Sequence, residues 1–229
     1  IAPGADRVAS LWAITKHVTD GFEAAKLARP EVISVTPMTG RRADKHIWDI
    51  RVRLYGDVSP KQVKEKLAQL RNGMGAVPWL RVTETSDGCR IVAGTHPRTA
   101  QFARPAFRDD CTALDWEQAF YDAKVVAPGG QVPVLESTEP LPKNPKVHRM
   151  VFKLPPGLDR QAIRNAKKTL MPATGNVYLE EEAGPTPDTV AVICCPEQPV
   201  PFPAPFDWEA VAESDAIPFA SGVTGEPIE

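Results

Sequence analysis

The fold of this chain is decided by the stretch Trp48-Asp49-Ile50-Arg51-Val52-Arg53-Leu54 and by a counterpart one hundred positions later, Met150-Val151-Phe152-Lys153-Leu154. In the first stretch apolar and polar residues alternate strictly, which predicts a β-strand with one buried face and one wet face. The second stretch places Met150, Phe152 and Leu154 at a constant offset of 100 from the apolar residues of the first. The two stretches therefore predict equivalent strands in two similar halves of the chain.

Similar elements are predicted around each stretch. Around the first, we expect a strand at 32–37, a helix from Ser59 to about residue 72, and strands at 79–85 and 90–93. Around the second, we expect a strand at 132–136, a turn at 140–145, a helix at 159–170, and strands at 177–181 and 189–194. A further helix is predicted over residues 6–27, ahead of the first half.

The constant offset extends beyond the two strands. It pairs Val63 with Ile163, Leu70 with Leu170, Gly75 with Gly175, Trp79 with Leu179, and Val92 with Val192. A motif at 114–117, Leu-Asp-Trp-Glu, also recurs as Phe-Asp-Trp-Glu at 206–209, each time after a proline-containing segment. These coincidences predict an internal duplication. The predicted fold class is α+β, with two tandem ββαββ repeats, each a mostly antiparallel sheet with one helix packed on a face.

The predicted domain boundaries follow from this pattern. They are an N-terminal helix at 1–30, a first ββαββ repeat at 31–103, a linker with an Asp-Trp-Glu segment at 104–130, a second ββαββ repeat at 131–195, and a proline-rich linker at 196–229 that leads toward a further domain. The chain begins at Ile1 and not at Met, so we interpret it as a piece of a longer protein.

Charge and composition exclude several classes of protein. The formal net charge of −2 argues against a strongly basic nucleic-acid-binding footprint over the whole chain. No apolar run approaches the roughly 20 residues of a membrane-spanning helix, so we expect no membrane contact by this segment. The four cysteines form no Cys-x-x-Cys pair, which favours reduced thiols in a cytoplasmic protein.

The sequence contains no complete catalytic motif. The sequence has no Gly-x-x-x-x-Gly-Lys-Ser/Thr loop for phosphates, no Gly-x-Ser-x-Gly elbow and no His-Glu-x-x-His zinc motif. The four histidines are scattered, and the acidic run at 180–182 is typical of a solvated turn. We therefore predict no catalytic residue, no metal site and no bound cofactor in this chain, and we predict that it is not itself an enzyme.

Basic residues cluster on both predicted repeat helices. Arg160, Arg164, Lys167 and Lys168 share one face of the second by their spacing, and Lys61, Lys64 and Arg71 do so on the first. A basic helix face is usually only the wet side of a helix. Because the cluster recurs in both halves, the pattern raises the hypothesis that these seven residues contact the phosphates of double-stranded DNA.

The C-terminal stretch, Ala216-Ile217-Pro218-Phe219-Ala220-Ser221-Gly222-Val223-Thr224-Gly225-Glu226-Pro227-Ile228-Glu229, resembles the segment that leads into the motor of FtsK/SpoIIIE-type DNA translocases. The predicted ββαββ unit with its helix-ending glycine resembles the domain ahead of that motor.

The resemblance implies a non-catalytic accessory domain of a ring-forming, ATP-driven DNA pump that serves chromosome segregation, cell division or plasmid conjugation. It implies ATP and Mg²⁺ binding downstream of this chain, in a parent that is an ATPase, with any membrane anchor upstream.

Two other functions remain open at this point. The chain suits a protein-interaction or oligomerisation module of a secretion or conjugation motor, in which the sheets pair between subunits and DNA is not touched. It also suits a small enzyme with an unrecognised site, for which a pocket lined by convergent polar groups would be the indication.

Overall fold

The computed structural model describes residues 5–40, 45–199, 220–221 and 227–228, and at 5–10 and in the last two pairs it describes the backbone alone. The chain divides into two compact units, Ile1–Leu114 and Asp115–Glu229. The first contains α1 (Ala5–Ala24), β1 (Glu31–Pro37), β2 (Ile47–Arg53), α2 (Pro60–Glu65), α3 (Leu67–Gly73), β3 (Trp79–Thr85), β4 (Gly88–Gly94), a short 3₁₀ helix (Pro97–Thr99) and the start of α4 (Pro105–Asp122). The second continues with β5 (Val134–Leu141), β6 (Asn144–Lys153), α5 (Arg160–Thr174), β7 (Tyr178–Ala183), β8 (Thr189–Cys195), β9 (Ala220–Ser221) and β10 (Pro227–Ile228).

Each unit is built on a four-stranded antiparallel sheet with the same strand order. The order is β1-β2-β4-β3 in the first unit and β5-β6-β8-β7 in the second. The alternating residues of the deciding stretches behave as predicted, because Ile50 and Val52 point into one core and Met150 and Phe152 into the other. The predicted α+β class with tandem repeats is thus confirmed.

One edge strand of each sheet, β1 or β5, carries an irregularity at the same place, and it was not predicted from the sequence. In β1 the register shifts between Val32 and Ser34, opposite Val52 and Arg51. In β5 it shifts between Leu135 and Ser137, opposite Phe152 and Val151. A β-bulge bends its strand and re-aims the side chains around it. Its presence at the equivalent position of both sheets is independent support for the duplication.

The helix that precedes each sheet is also part of the repeat. Both α1 and α4 are followed, two residues after their last helical residue, by a lysine in the left-handed conformation, Lys26 at φ 54° and Lys124 at φ 60°. The next residue in each case donates its backbone N–H five residues back, Leu27 to Phe22 and Val125 to Phe120, both at 2.9 Å. This is a helix C-cap of the Schellman kind. The repeating unit is therefore αββαββ, with α1 and α4 as its first helices.

This larger repeat revises two sequence-based expectations. The helix at 6–27 was predicted as a separate N-terminal element. It is the first helix of the first repeat, α1. The segment predicted as a linker from residue 104 is helical over Pro105–Asp122, with Pro105 in its first turn, where the missing N–H is not needed.

The offset of 100 holds for β2, β6 and the repeat helices but not for the last two strands. Opposite Ile50 lies Ile91, whereas opposite Met150 lies Val192, so the fourth strands are related by 101 positions. By the same reasoning the third strands are related by 99 positions, which makes Leu80 and not Trp79 the counterpart of Leu179. The predicted pairs Trp79–Leu179 and Val92–Val192 are therefore wrong by one residue.

Two local predictions are also corrected. The helix expected from Ser59 to residue 72 is interrupted at Lys66, which separates α2 from α3. The turn expected at 140–145 is only residues 142–143, because β5 extends to Leu141 and β6 begins at Asn144. Prolines at 140 and 145 are compatible with these strand ends, where ladder hydrogen bonds are few.

Helices α1 and α3 approach closely through two glycines. A Cβ on Gly73 would lie 2.5 Å from the Cβ of Ala24 and 2.8 Å from the Cα of Gly21. A Cβ on Gly21 would lie 2.6 Å from Cγ of Met74. Because real Cβ atoms are not found at such distances, the small residues are needed for this helix pair to pack on the sheet.

No helix among the described residues is both long and apolar enough to cross a membrane.

Candidate nucleic-acid interface

The basic face of α5 is held in place by strong capping at both ends of the helix. The Asp159 side chain accepts a hydrogen bond from the backbone N–H of Ala162 at 3.0 Å, and Gly175 ends the helix at φ 64°. Ile163, Ala166 and Leu170 are buried against the second sheet. With 3.6 residues per turn, this leaves Arg160, Arg164 and Lys168 on the outward side of the helix and Lys167 at its flank.

Two of these four cations already have carboxylate partners. The Nε of Arg164 donates to Oε1 of Glu181, and the Nζ of Lys167 donates to Oε2 of Glu180 at 2.5 Å. Arg160 and Lys168 are exposed and have no carboxylate partner in the described part of the chain. The basic face predicted from spacing is therefore present, but two of its four cations form ion pairs with carboxylates of β7.

Glu181 is buried in a place where a carboxylate is costly. Its side chain is 1 % exposed, and its Oε2 has no hydrogen-bond partner among the described residues. In the first unit the equivalent strand position is Val82, a member of the first core. The second unit thus carries a carboxylate, held by Arg164, where the first has an aliphatic side chain. The acidic run was expected to be a solvated turn, and for Glu181 that expectation is wrong.

The basic residues of the first unit are split by the break at Lys66. Lys61 and Lys64 lie on α2 and Arg71 on α3, so the three do not share one continuous helix face. Lys61 and Arg71 are exposed. Lys64 lies close enough to the buried thiol of Cys89 that its positive charge opposes the effect of burial, which raises the pKa of Cys89 to about 12.

The two basic clusters coincide at one position only. Lys64 and Arg164 are related by the offset of 100, whereas Gln161 and Met171 stand where the first unit has Lys61 and Arg71. The expectation that the basic face recurs at equivalent positions therefore holds only for Lys64 and Arg164. Whether any of the seven residues contacts DNA stays a prediction.

A charged network on the other face of the first sheet was not predicted from the sequence. Arg90 of β4 donates to both carboxylate oxygens of Asp49 on β2, at 3.0 Å each, and also to Asp110 of α4. These carboxylates raise the pKa of Arg90 above its usual range, mainly through the hydrogen bond to Asp110. The network attaches the first half of α4 to its sheet. The alternation of the strands indicated only that Asp49 and Arg90 were polar.

The remaining candidate chemistry is sparse. The described residues contain no group of three or more His, Cys, Asp or Glu side chains placed to hold a metal ion. All four cysteines lie within the described residues, are buried and form no disulfide bond. Burial raises the pKa of Cys194 to about 12, as it does for Cys89, which makes these thiols poor nucleophiles.

Most of the C-terminal stretch that resembles a translocase lead-in lies outside the described residues. Within it, β9 and β10 pair antiparallel, with Ser221 opposite Pro227 and Ala220 opposite Ile228.

No protein-family model matches this chain, and no curated protein matches it. Among solved structures, it is similar to the pCW3 conjugation coupling protein TcpA, in its monomer form with ATPγS, at 14% sequence identity and a TM-score of 0.35. The similarity covers 46% of this chain and 29% of that one, so less than a third of the length of TcpA is matched.

Proposed function

We propose that this chain is a non-catalytic accessory domain of an ATP-driven DNA translocase, which contributes to DNA contact or to ring assembly. The observation that carries the proposal is the C-terminal stretch from Ala216 to Glu229, with its resemblance to the segment ahead of an FtsK/SpoIIIE-type motor. In this proposal ATP and Mg²⁺ bind to the downstream motor of the parent protein, on the cytoplasmic side. Any membrane anchor is carried by an upstream part of the parent.

The DNA contact that we propose is weak and independent of sequence. It is carried by exposed cations without carboxylate partners in the described part of the chain, namely Lys61, Arg71, Arg160 and Lys168. Arg164 and Lys167 contribute less, because a phosphate has to displace Glu181 and Glu180 from them. With a net charge of −2, we expect a dissociation constant of about 10⁻⁴ M or weaker for the single chain at physiological salt. A ring of subunits strengthens the contact through effective concentration.

The test is fluorescence anisotropy with a labelled DNA duplex, at low and at physiological salt. The native chain is compared with the double variant Arg160→Glu/Lys168→Glu. The control is Lys146→Glu/Lys153→Glu, which makes the same change of charge at two exposed lysines on β6, each of which pairs with a carboxylate. We expect binding at low salt, a decrease with salt, a loss in the α5 variant and a smaller loss in the control.

Equal losses in the two double variants would mean that only the total charge matters, and α5 would then not be the contact surface. If the native chain does not bind at low salt, the proposal of DNA contact is wrong.

The second candidate is a protein-interaction or oligomerisation module that does not touch DNA. The observation that favours it is the composition of β1 and β5, which form one edge of each sheet. Ile33, at the bulge of β1, is 44 % exposed, and Val134, at the start of β5, is 63 % exposed. An edge strand with exposed apolar side chains is suited to pairing with a strand from another chain.

This candidate is tested by sedimentation of the native chain and of Val134→Lys across a concentration series. A lysine on an edge strand opposes strand pairing. We expect self-association of the native chain that the substitution abolishes, with circular dichroism unchanged. A monomer at all concentrations would exclude pairing between copies through β5.

A further inference from the structure

The first unit contains an open cleft that has no part in the proposed function. It has a volume of about 300 Å³ and lies between α1, the residues that follow α3, and the ends of β2 and β4. Its apolar floor includes Ile50 and Met74, both buried, and the half-buried indole of Trp48 forms one wall. Two exposed imidazoles, His17 and His46, stand at its edge. An apolar hollow with a few polar groups at its mouth is the usual composition of a small-molecule site.

The size of the cleft suits a ligand with one or two rings. A cavity of about 150 Å³ is sufficient to hold benzene. The cleft has about twice that volume, which leaves room for a bicyclic ring system such as indole.

The polar groups of the cleft suit a hydrogen-bond acceptor on that ring. His46 Nδ1 lies 3.3 Å from the Oγ1 of Thr39. When the Thr39 hydroxyl donates to Nδ1, the other ring nitrogen of His46 carries the proton and can donate to a ligand. None of the described residues that line the cleft has a carboxylate, so no negative side chain there repels an anionic acceptor.

The second unit indicates that this fold accommodates an indole between its first helix and its sheet. The matching helix ends at Lys26 and Lys124 make Trp116 the counterpart of Val18, which follows His17 directly. The indole of Trp116 packs against Phe120 and Phe152, with ring centroids 5.5 Å and 5.0 Å apart. In the first unit Val18 and Val52 stand at the positions of Trp116 and Phe152, and both are buried in the core without lining the cleft. The indole at the cleft is instead that of Trp48.

We propose that the cleft of the first unit is a binding site for a small molecule with a flat aromatic ring and a carboxylate or carbonyl acceptor. The ring lies on the apolar floor beside Trp48, and the acceptor receives hydrogen bonds from His17 and His46. This site is independent of DNA contact, so its failure in an experiment leaves the proposed function untouched.

The test is an NMR titration of the whole chain, which is labelled with ¹⁵N at its tryptophans. Indole-3-carboxylate is added in one titration and indole in the other. The five tryptophans give five indole N–H signals, and the Trp48 signal is assigned with Trp48→Phe. We expect the Trp48 signal to shift saturably in the millimolar range or below, while the Trp116 signal stays in place. Cyclohexanecarboxylate, which has the acceptor but no aromatic ring, should bind at least tenfold more weakly.

Three variants separate the two parts of the proposal. His17→Ala/His46→Ala changes exposed residues, so it should fold, and it should weaken indole-3-carboxylate about tenfold while leaving indole within about twofold. Ile14→Trp fills the cleft and should abolish both. His148→Ala, which removes an imidazole from the second unit, is the control and should change neither. The proposal is overturned if neither probe shifts the Trp48 signal saturably, if the histidine variant binds both probes as the native chain does, or if it weakens both equally.

Discussion

The buried carboxylate of Glu181 leads to the sharpest prediction, since the two members of its ion pair should have opposite effects on stability. Arg164→Ala leaves the Glu181 charge buried at 1 % exposure with no partner, which is expected to destabilise the second unit by about 3 kcal/mol. Glu181→Val removes that charge and installs the side chain that the first unit has at Val82.

Three contributions determine how much Glu181→Val should change the free energy of unfolding of the second unit. Removing a buried oxygen without a partner relieves about 1–3 kcal/mol, and losing the charge-assisted hydrogen bond costs about 1.5–3 kcal/mol. Burying a valine side chain contributes about 1.5 kcal/mol or more, while Arg164, 50 % exposed, returns to water with little penalty. The net expectation is a stabilisation of about 1 kcal/mol, which for a unit of this size raises Tm by about 4 °C. In the Glu181→Val background, Arg164→Ala should change stability by less than about 0.5 kcal/mol.

The assay is native-state hydrogen exchange of the amides of β8, the strand that lies between β6 and β7 in the second sheet. It reports on this unit even where the two units unfold separately. The control is Glu180→Val on the same strand, where the carboxylate is 48 % exposed and its pair with Lys167 should matter little. The reasoning is refuted if Glu181→Val destabilises the unit, or if Arg164→Ala has the same effect in both backgrounds.

Three further predictions concern packing, pH and activity. Gly73→Ala should destabilise the first unit by about 1–3 kcal/mol in urea unfolding, because the new Cβ meets that of Ala24 at 2.5 Å, whereas Gly40→Ala, with nothing within 4 Å, should stay within about 0.5 kcal/mol. Burial raises the pKa of Cys89 and Cys194 from 9.0 to about 12, so the native state keeps protons that the unfolded chain releases. The free energy of unfolding should therefore fall as pH rises from 9 toward 12, and it should fall less steeply when both cysteines are replaced by alanine. The purified chain should not hydrolyse ATP in a phosphate-release assay, since its sequence has no loop to hold the phosphates, and turnover above background would contradict this.

The repeat could be predicted from sequence, but its last two strands could not be aligned correctly. Trp79 and Leu80 are adjacent and both apolar, as are Ile91 and Val92, because both faces of the first sheet are buried at these positions. A shift of one residue moves a strand's side chains to the opposite face of the sheet. Here either register still matched apolar with apolar, so only the strand pairing revealed the offsets of 99 and 101.

The first half of α4 was missed for a different reason, whereas the Asp-Trp-Glu segment at 115–117 was expected to be helix-like. That first half contains Pro105, Arg108, Asp109 and Asp110, which together are typical of a connecting segment. The proline lies in the first turn, where a helix tolerates it, and Asp110 is held by Arg90. A contact across 20 residues of sequence leaves no local pattern, so it could not be predicted from the sequence.

The candidate interface was predicted from spacing alone, and spacing does not account for partners on other elements. The basic face of α5 lies where the 3.6-residue period places it. However, Arg164 is paired with Glu181 and Lys167 with Glu180, both on β7. The same carboxylates connect stability with the proposed function. If α5 contacts phosphates, Glu181→Val releases Arg164 to bind DNA while it stabilises the unit, so DNA affinity and stability should rise together. Partial unfolding that exposes cations would instead raise affinity as stability falls. A more stable Glu181→Val chain with unchanged DNA affinity would therefore argue that α5 is only a solvated face, and it would favour the interaction module.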